Sequence, residues 1–235
     1  MGKVKIKKTS TIIDMTAMSD VTVLLLTFFM LTSTFLQKEP VQVITPPATS
    51  DAPVPDQKFV QVLVSPEGKV YLNLTGAKDS TLLSNEFFRT EVLKSAYDEY
   101  KKSHPSAPDL TVSQTKEFSK IGTFGVPMKD LTKWLDMRLD QRDEFLKEKG
   151  GIPIQMSVKD GARNEFQIWL NAIKTVLYNK DPELFSNLIG GDGIGIKAGQ
   201  DSPFSLVDVV MDNMKTEEIN NLVLMTSLKI EEEGK

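Results

Sequence analysis

The chain has no cysteine, which excludes disulfide frameworks, thiolate metal sites and cysteine catalysis while fitting a reducing or an oxidising compartment equally. Histidine is nearly as scarce. The single His104 lies in Lys101-Lys102-Ser103-His104-Pro105, a loop-like setting with no ligand spacing around it, so neither a metal centre nor histidine-based catalysis is expected. An excess of cations is lacking too: a formal charge of −4 with 26% charged residues leaves no broad basic surface, and no nucleic-acid partner is expected. Gly190-Gly191-Asp192-Gly193-Ile194-Gly195 lacks the Lys-Ser/Thr and the helix that a phosphate loop needs and leads into a strand, so it reads as a flexible turn. Asn73-Leu74-Thr75 matches a glycosylation sequon but falls inside an expected strand, and nothing is assigned to it. No constellation for an enzyme is present.

What the chain does have is a long uncharged run. Val21 to Leu36 reads VTVLLLTFFMLTSTFL, and with the residues back to Ile12 it would span about 37 Å as a helix, enough for a hydrocarbon layer of about 30 Å. Residues 12–37 are therefore expected to form one transmembrane helix, preceded by a cytoplasmic N-terminus over 1–11. Lys3, Lys5, Lys7 and Lys8 before the run outweigh the single Lys38 just after it, which places the N-terminus inside and the C-terminal bulk outside. A cleaved secretory signal is the alternative. Against it, Thr32-Ser33-Thr34-Phe35-Leu36-Gln37 offers no small-residue cleavage site, and Asp14 and Asp20 would burden the apolar region.

An Asp within a spanning helix costs about 2.5–3.5 kcal/mol on insertion scales and usually faces protein or water along an ion pathway. At 100° per residue, Thr16, Thr27 and Thr34 fall within about 40° of Asp20, one polar stripe. Such a stripe is expected to pack against other helices rather than lipid. One reading is structural: the threonines bond back to their own carbonyls and Asp20 lies at the interface. The other is functional. A carboxyl group removed from water favours its neutral form, so protonation would switch the surroundings that the Asp20 side chain prefers, with about 2.3 kcal/mol per charge per 100 mV available from a membrane potential.

Ile13-Asp14-Met15-Thr16-Ala17-Met18-Ser19-Asp20-Val21 and the Val23-Leu24-Leu25-Leu26-Thr27-Phe28-Phe29-Met30 that follows resemble the N-terminal signature of the ExbD/TolR family of biopolymer-transport proteins. Ala17 stands where that signature usually has proline, and Asp14 where it often has asparagine. A second block also resembles the family: Gly193 to Asp201, then Pro203 to Met211, then Leu222 to Thr226, as strand, helix and last strand. The resemblance covers the two ends of the chain and leaves 101–190 as an apparent insertion. It implies that Asp20 is the proton-carrying carboxylate and that no cofactor beyond protons is used. It also implies a bacterial inner-membrane location with a periplasmic C-terminal domain. The partners it implies are an ExbB/TolQ-like multi-span membrane protein, a second copy of the chain and a TonB-like energy transducer. A TolR-like envelope-maintenance role, or a plain membrane-anchored scaffold, are the alternatives.

Beyond the membrane segment, 38–57 reads as an extended linker, with Pro46 to Pro55 stiff and Val41 to Ile44 a possible short strand. Residues 58–235 suffice for a core of their own. Phe59 to Val64 and Lys69 to Leu74 are expected as a hairpin about Pro66-Glu67-Gly68, and Leu83 to Tyr100 as an amphipathic helix. Within the insertion, Pro127 is expected to open a helix through Leu131, Trp134, Leu135, Leu139 and Leu146 that stops at Gly150-Gly151. A second helix is expected from Arg163 to Asn179 with Phe166, Leu170, Ile173 and Leu177 on one face. Both tryptophans are expected in the core, and Ser202 as N-cap of the last helix. The fold class is thus one N-terminal transmembrane helix plus an α+β periplasmic domain, a small sheet with helices packed on it.

Overall fold

In the computed structural model, which describes residues 15–32, 47–48, 60–75, 85–154, 163–225 and 227–228, the chain divides into an N-terminal unit, Met1–Lys38, and a C-terminal domain, Glu39–Lys235. The N-terminal unit contributes α1 (Thr16–Thr32), 17 residues long. At about 1.5 Å per residue it measures about 26 Å, and among the described residues no helix is long and apolar enough to cross a membrane. The expected segment 12–37 continues past α1 at both ends, into residues 12–14 and 33–37 that lie outside the described residues.

The C-terminal domain is α+β. Of the expected linker, β1 (Pro47–Ala48) is described and pairs in parallel with β7 (Ser227–Leu228); the short strand expected over Val41 to Ile44 lies outside the described residues. β2 (Val60–Val64) and β3 (Val70–Leu74) form the expected antiparallel hairpin in the register Val60 to Leu74 and Val64 to Val70. Gly68 closes its turn at a φ of 77°, a conformation that glycine adopts without a Cβ penalty. Parallel pairing then joins β2 to β5 (Ile194–Ala198) and β5 to β6 (Val223–Met225), while β4 (Thr123–Phe124) lies antiparallel to β3. The mixed sheet runs β4-β3-β2-β5-β6. Period-two alternation puts Val60, Val62, Val64, Leu72, Ile194 and Ile196 on one face, and all are buried.

Helix α2 (Asn85–Ser103) follows the hairpin, and α3 (Val112–Ser119) packs against it. The expectation for 101–190 includes neither α3 nor β4. Pro127 does open a helix, α4 (Met128–Asp136), as its N-cap, but that helix does not run on to Gly150. Met137 and Arg138 are extended, and α5 (Leu139–Lys149) starts anew. The break is held by Arg142, whose Nη2 donates to the Leu135 carbonyl that α4 leaves open, and by the Trp134 indole N–H donating to the Arg142 carbonyl at 3.4 Å. The turn moves Leu139 out of the core, to 74% exposure.

The second expected helix is α6 (Glu165–Lys180), started by an Asn164–Gln167 capping box; Phe166, Leu170, Ile173 and Leu177 are buried as expected. Both tryptophans are buried, and Trp169 stacks on Phe118 with centroids 5.9 Å apart and lies 4.7 Å from Phe124. Helix α7 (Pro182–Gly190), absent from the expectation, is capped by the Asp181 side chain and ends at Gly191 with a φ of 89°. That left-handed cap explains Gly191, since a Cβ there would lie 2.5 Å from the Asn221 carbonyl oxygen.

Helix α8 (Phe204–Thr216) has Pro203, not Ser202, as its N-cap residue. Ser202 instead donates through its hydroxyl to the Val64 carbonyl at 2.9 Å, because the end of β2 offers an acceptor there. At the other end of α8, the Ile219 N–H reaches the Met214 carbonyl and the Glu218 N–H the Lys215 carbonyl, both at 2.9 Å, the paired bonds of a Schellman cap. Glu218 occupies its left-handed position at a φ of 64°, where an L side chain is strained. Glu218→Gly is therefore expected to stabilise the domain by about 1 kcal/mol, read as a higher urea midpoint; an unchanged or lower midpoint would contradict the strain argument.

Candidate functional site

Helix α1 places Thr16, Asp20 and Thr27 on one continuous backbone, so their common face follows from helical geometry; Thr34 lies outside the described residues. Asp20 is the only ionisable side chain on α1. Every residue of the helix is exposed within the chain, including Leu24 at 62% and Leu31 at 87%. Nearly uniform apolarity, not a sided pattern, is what the sequence Val21 to Leu31 gives.

The hydroxyls on α1 are largely used up inside the helix. Thr27 donates to the Leu24 carbonyl at 2.9 Å, Ser19 to Met15 at 2.9 Å, Thr32 to Phe28 at 2.8 Å, and Thr22 to Met18. This back-bonding lets hydroxyls sit on an apolar helix without an outside partner. A carboxylate has no such outlet, because it only accepts, and the helical N–H groups beyond the first turn are taken.

In the C-terminal domain no group of three or more His, Asp or Glu side chains is placed to hold a metal ion among the described residues. His104 is exposed and stacks on Tyr100 at 4.4 Å. Arg163 pairs with Glu99 at 3.1 Å and Glu217 at 2.7 Å, tying α2, the start of α6 and the end of α8 together. Arg89 is buried and donates to the Leu74 and Ser119 carbonyls at 2.8 and 3.1 Å. These are joints between elements. One further feature is an open groove between α2 and α3; the Thr111–Gln114 capping box is the sequence signal that points to α3 and hence to it.

A family profile described as biopolymer transport protein ExbD/TolR matches residues 7–229, which takes in α1, the whole sheet and the 101–190 segment. Comparison with the curated proteins and with solved structures gives no match.

One carboxylate of the C-terminal domain is held at an unusual protonation balance. Glu165, in the first turn of α6, accepts from the Met128 N–H at 2.7 Å and so caps α4 from a neighbouring helix. Burial pushes its carboxyl up from the ordinary value, outweighing the pull of the Met128 N–H, His104 and Lys129. Because the folded-state value lies above the unfolded one, the fold holds this proton more tightly; the contribution of the group to stability grows as pH falls through the folded-state value and is lost as pH rises through it. Glu165→Gln, which still accepts from Met128 but never ionises, is expected to flatten the dependence of the urea midpoint on pH from the ordinary glutamate value upward. Glu165→Ala leaves that N–H open and is expected to lower stability by about 1 kcal/mol across the range. An unaltered pH slope in the Gln variant would remove Glu165 from the account.

Proposed function

The chain belongs to the biopolymer transport protein ExbD/TolR family, and from that premise we propose that it is a bacterial inner-membrane subunit of a motor driven by the proton-motive force. Residues 12–37 cross the membrane once, with the N-terminus in the cytoplasm and the C-terminal domain in the periplasm. The observation that carries the reading is the lone carboxyl of Asp20 on a helix otherwise free of ionisable groups. In lipid such a group must pair, reach water or be neutral.

The work is done by exchange between those states. A carboxylate oxygen of Asp20 takes a proton from the periplasmic side, and the neutral side chain then tolerates an apolar helix surface. Release of the proton to the cytoplasmic side restores the charge, which seeks a polar partner on a neighbouring helix. A membrane potential biases each cycle by about 2.3 kcal/mol per charge per 100 mV. The neighbouring helices belong to an ExbB/TolQ-like multi-span partner and a second copy of the chain, and the C-terminal domain passes the movement to a TonB-like energy transducer that serves outer-membrane transport. Protons are the only cofactor, and no chemical reaction is catalysed.

Asp20→Asn keeps the shape and removes the titration. It is expected to lower energy-dependent uptake at least about tenfold, ~1.4 kcal/mol, while membrane insertion, protein level and co-purification of the multi-span partner stay normal. Uptake unchanged by the substitution would sink the motor reading and leave an anchored scaffold.

A further inference from the structure

Nothing in the local sequence separates α4 from α5. Asp136-Met137-Arg138-Leu139 holds neither glycine nor proline, and leucine, arginine and methionine are among the better helix formers. Other helix ends in the same segment carry a stop signal, Gly150 after α5 and Gly191 after α7. At the elbow Met137 lies at φ −74°, ψ 156° and Arg138 at φ −69°, ψ 157°. The bend is therefore imposed by tertiary contacts against local preference.

Those contacts are few and incompletely made. In an unbroken helix the Leu135 carbonyl would accept from the Leu139 N–H; here Nη2 of Arg142 takes that place. Among the described residues, Nε and Nη1 of the same guanidinium are buried and make no hydrogen bond. Glu117 stands 3.7 Å from Nη1, beyond hydrogen-bond reach, and is held by Lys120 at 2.8 Å. A buried cation with donors left open is a costly latch. Helix α5 is also lightly seated: its buried side chains are Arg142 and Leu146, whereas α4 buries Met128, Leu131, Thr132, Trp134 and Leu135. Leu139, next in register after Leu131 and Leu135, faces solvent at 74% exposure. Just past α5, Gly151 at a φ of 116° offers a second pivot. Its N–H donates to the Gly125 carbonyl at 2.7 Å, and the Ile152 N–H to the Val70 carbonyl at 2.8 Å.

We propose that α4 and α5 form a two-state elbow, in which the bent form, latched by Arg142 on the Leu135 carbonyl, exchanges with one continuous helix from Met128 to Lys149, about 33 Å long. Packed elements with two arrangements switch between them rather than deform continuously. Straightening lifts α5 from the Tyr71 hydroxyl that donates to the Leu146 carbonyl and frees the Val70 carbonyl at the edge of β3, while α4 stays seated. The elbow belongs to the 101–190 segment alone, and the proposal stands whether or not Asp20 carries protons.

Because the chain has no cysteine, Lys129→Cys and Glu148→Cys, both at exposed positions, place a pair of spin labels on the full chain. Dilution with unlabelled chain leaves only distances within one copy. The bent form gives one short distance, and the straight helix adds a second for a backbone separation of about 29 Å. Arg142→Met keeps apolar bulk in the buried site but removes the donor that closes the Leu135 carbonyl. It is expected to raise the long-distance fraction about fivefold. Arg138→Pro fits the bent dihedrals, follows a residue in the conformation that precedes proline, and removes an N–H that makes no hydrogen bond among the described residues. A proline there bars the continuous helix. Alone it is expected to raise the urea midpoint, and in the Arg142→Met background to abolish the long distance. A single short distance or a broad spread in Arg142→Met, a long population that survives Arg138→Pro, or a lowered midpoint in Arg138→Pro alone would each overturn the proposal.

Discussion

The parallel pairing of Val60–Val64 with Ile194–Ala198 is the constraint on which the C-terminal domain depends. Two strands far apart in sequence lie side by side in the sheet, so the chain that follows β3 must leave the sheet, with only β4 rejoining its far edge, and come back for β5. Closing a long loop costs only slowly more as it lengthens, and the burial of Val62, Ile196 and their neighbours repays that once. The length of the intervening chain is therefore nearly free to vary. What it cannot do is remain unpacked over the aliphatic face of the sheet, and this limits what the 101–190 segment can be.

That segment is not an appendage. β4 extends the sheet through Phe124 opposite Leu72, α6 packs on α2, and Phe118, Phe124 and Trp169 form one aromatic cluster within the common core. Stitches at the other face do the same: the Tyr71 hydroxyl donates to the Leu146 carbonyl at 3.3 Å, and the Ile152 N–H to the Val70 carbonyl at 2.8 Å. The segment thus shares one core with the sheet among the described residues, and a close-packed interior transmits strain.

Elements with long, clean periodicity could be read from sequence: the β2–β3 hairpin from its alternating valines, α6 from Phe166, Leu170, Ile173 and Leu177, and the β5–α8–β6 order from the resemblance. The failures have local causes. α3 is short and polar, with Phe118 its one large buried apolar residue, so it has a capping box but no stripe. β4 is two residues long. Leu131, Leu135 and Leu139 recur at helical spacing, yet the buried Arg142 turns the chain at Met137 and sends Leu139 outward. Ser202 was a sound N-cap by type, and lost to a nearby strand carbonyl that no local pattern announces. Asp20 was legible for the opposite reason: an acid in an apolar run is conspicuous without any tertiary information. The α2–α3 groove was hidden, since half of it belongs to the helix that the pattern missed.

Helix α1 sharpens what can be asked of its polar face. From spacing alone, Thr16, Asp20, Thr27 and Thr34 form a stripe whose hydroxyls call for neighbouring helices. The hydroxyl of Thr27 is already spent on the Leu24 carbonyl, and Ser19, Thr22 and Thr32 bond back in the same way. These groups are small and self-satisfied; they permit close approach of another helix without demanding it. The demand rests on Asp20, whose carboxylate can only accept and whose side chain is too short to snorkel far. Association of α1 should then strengthen when that carboxyl is charged and relax when it is neutral, so that protonation itself sets how tightly the helix is held.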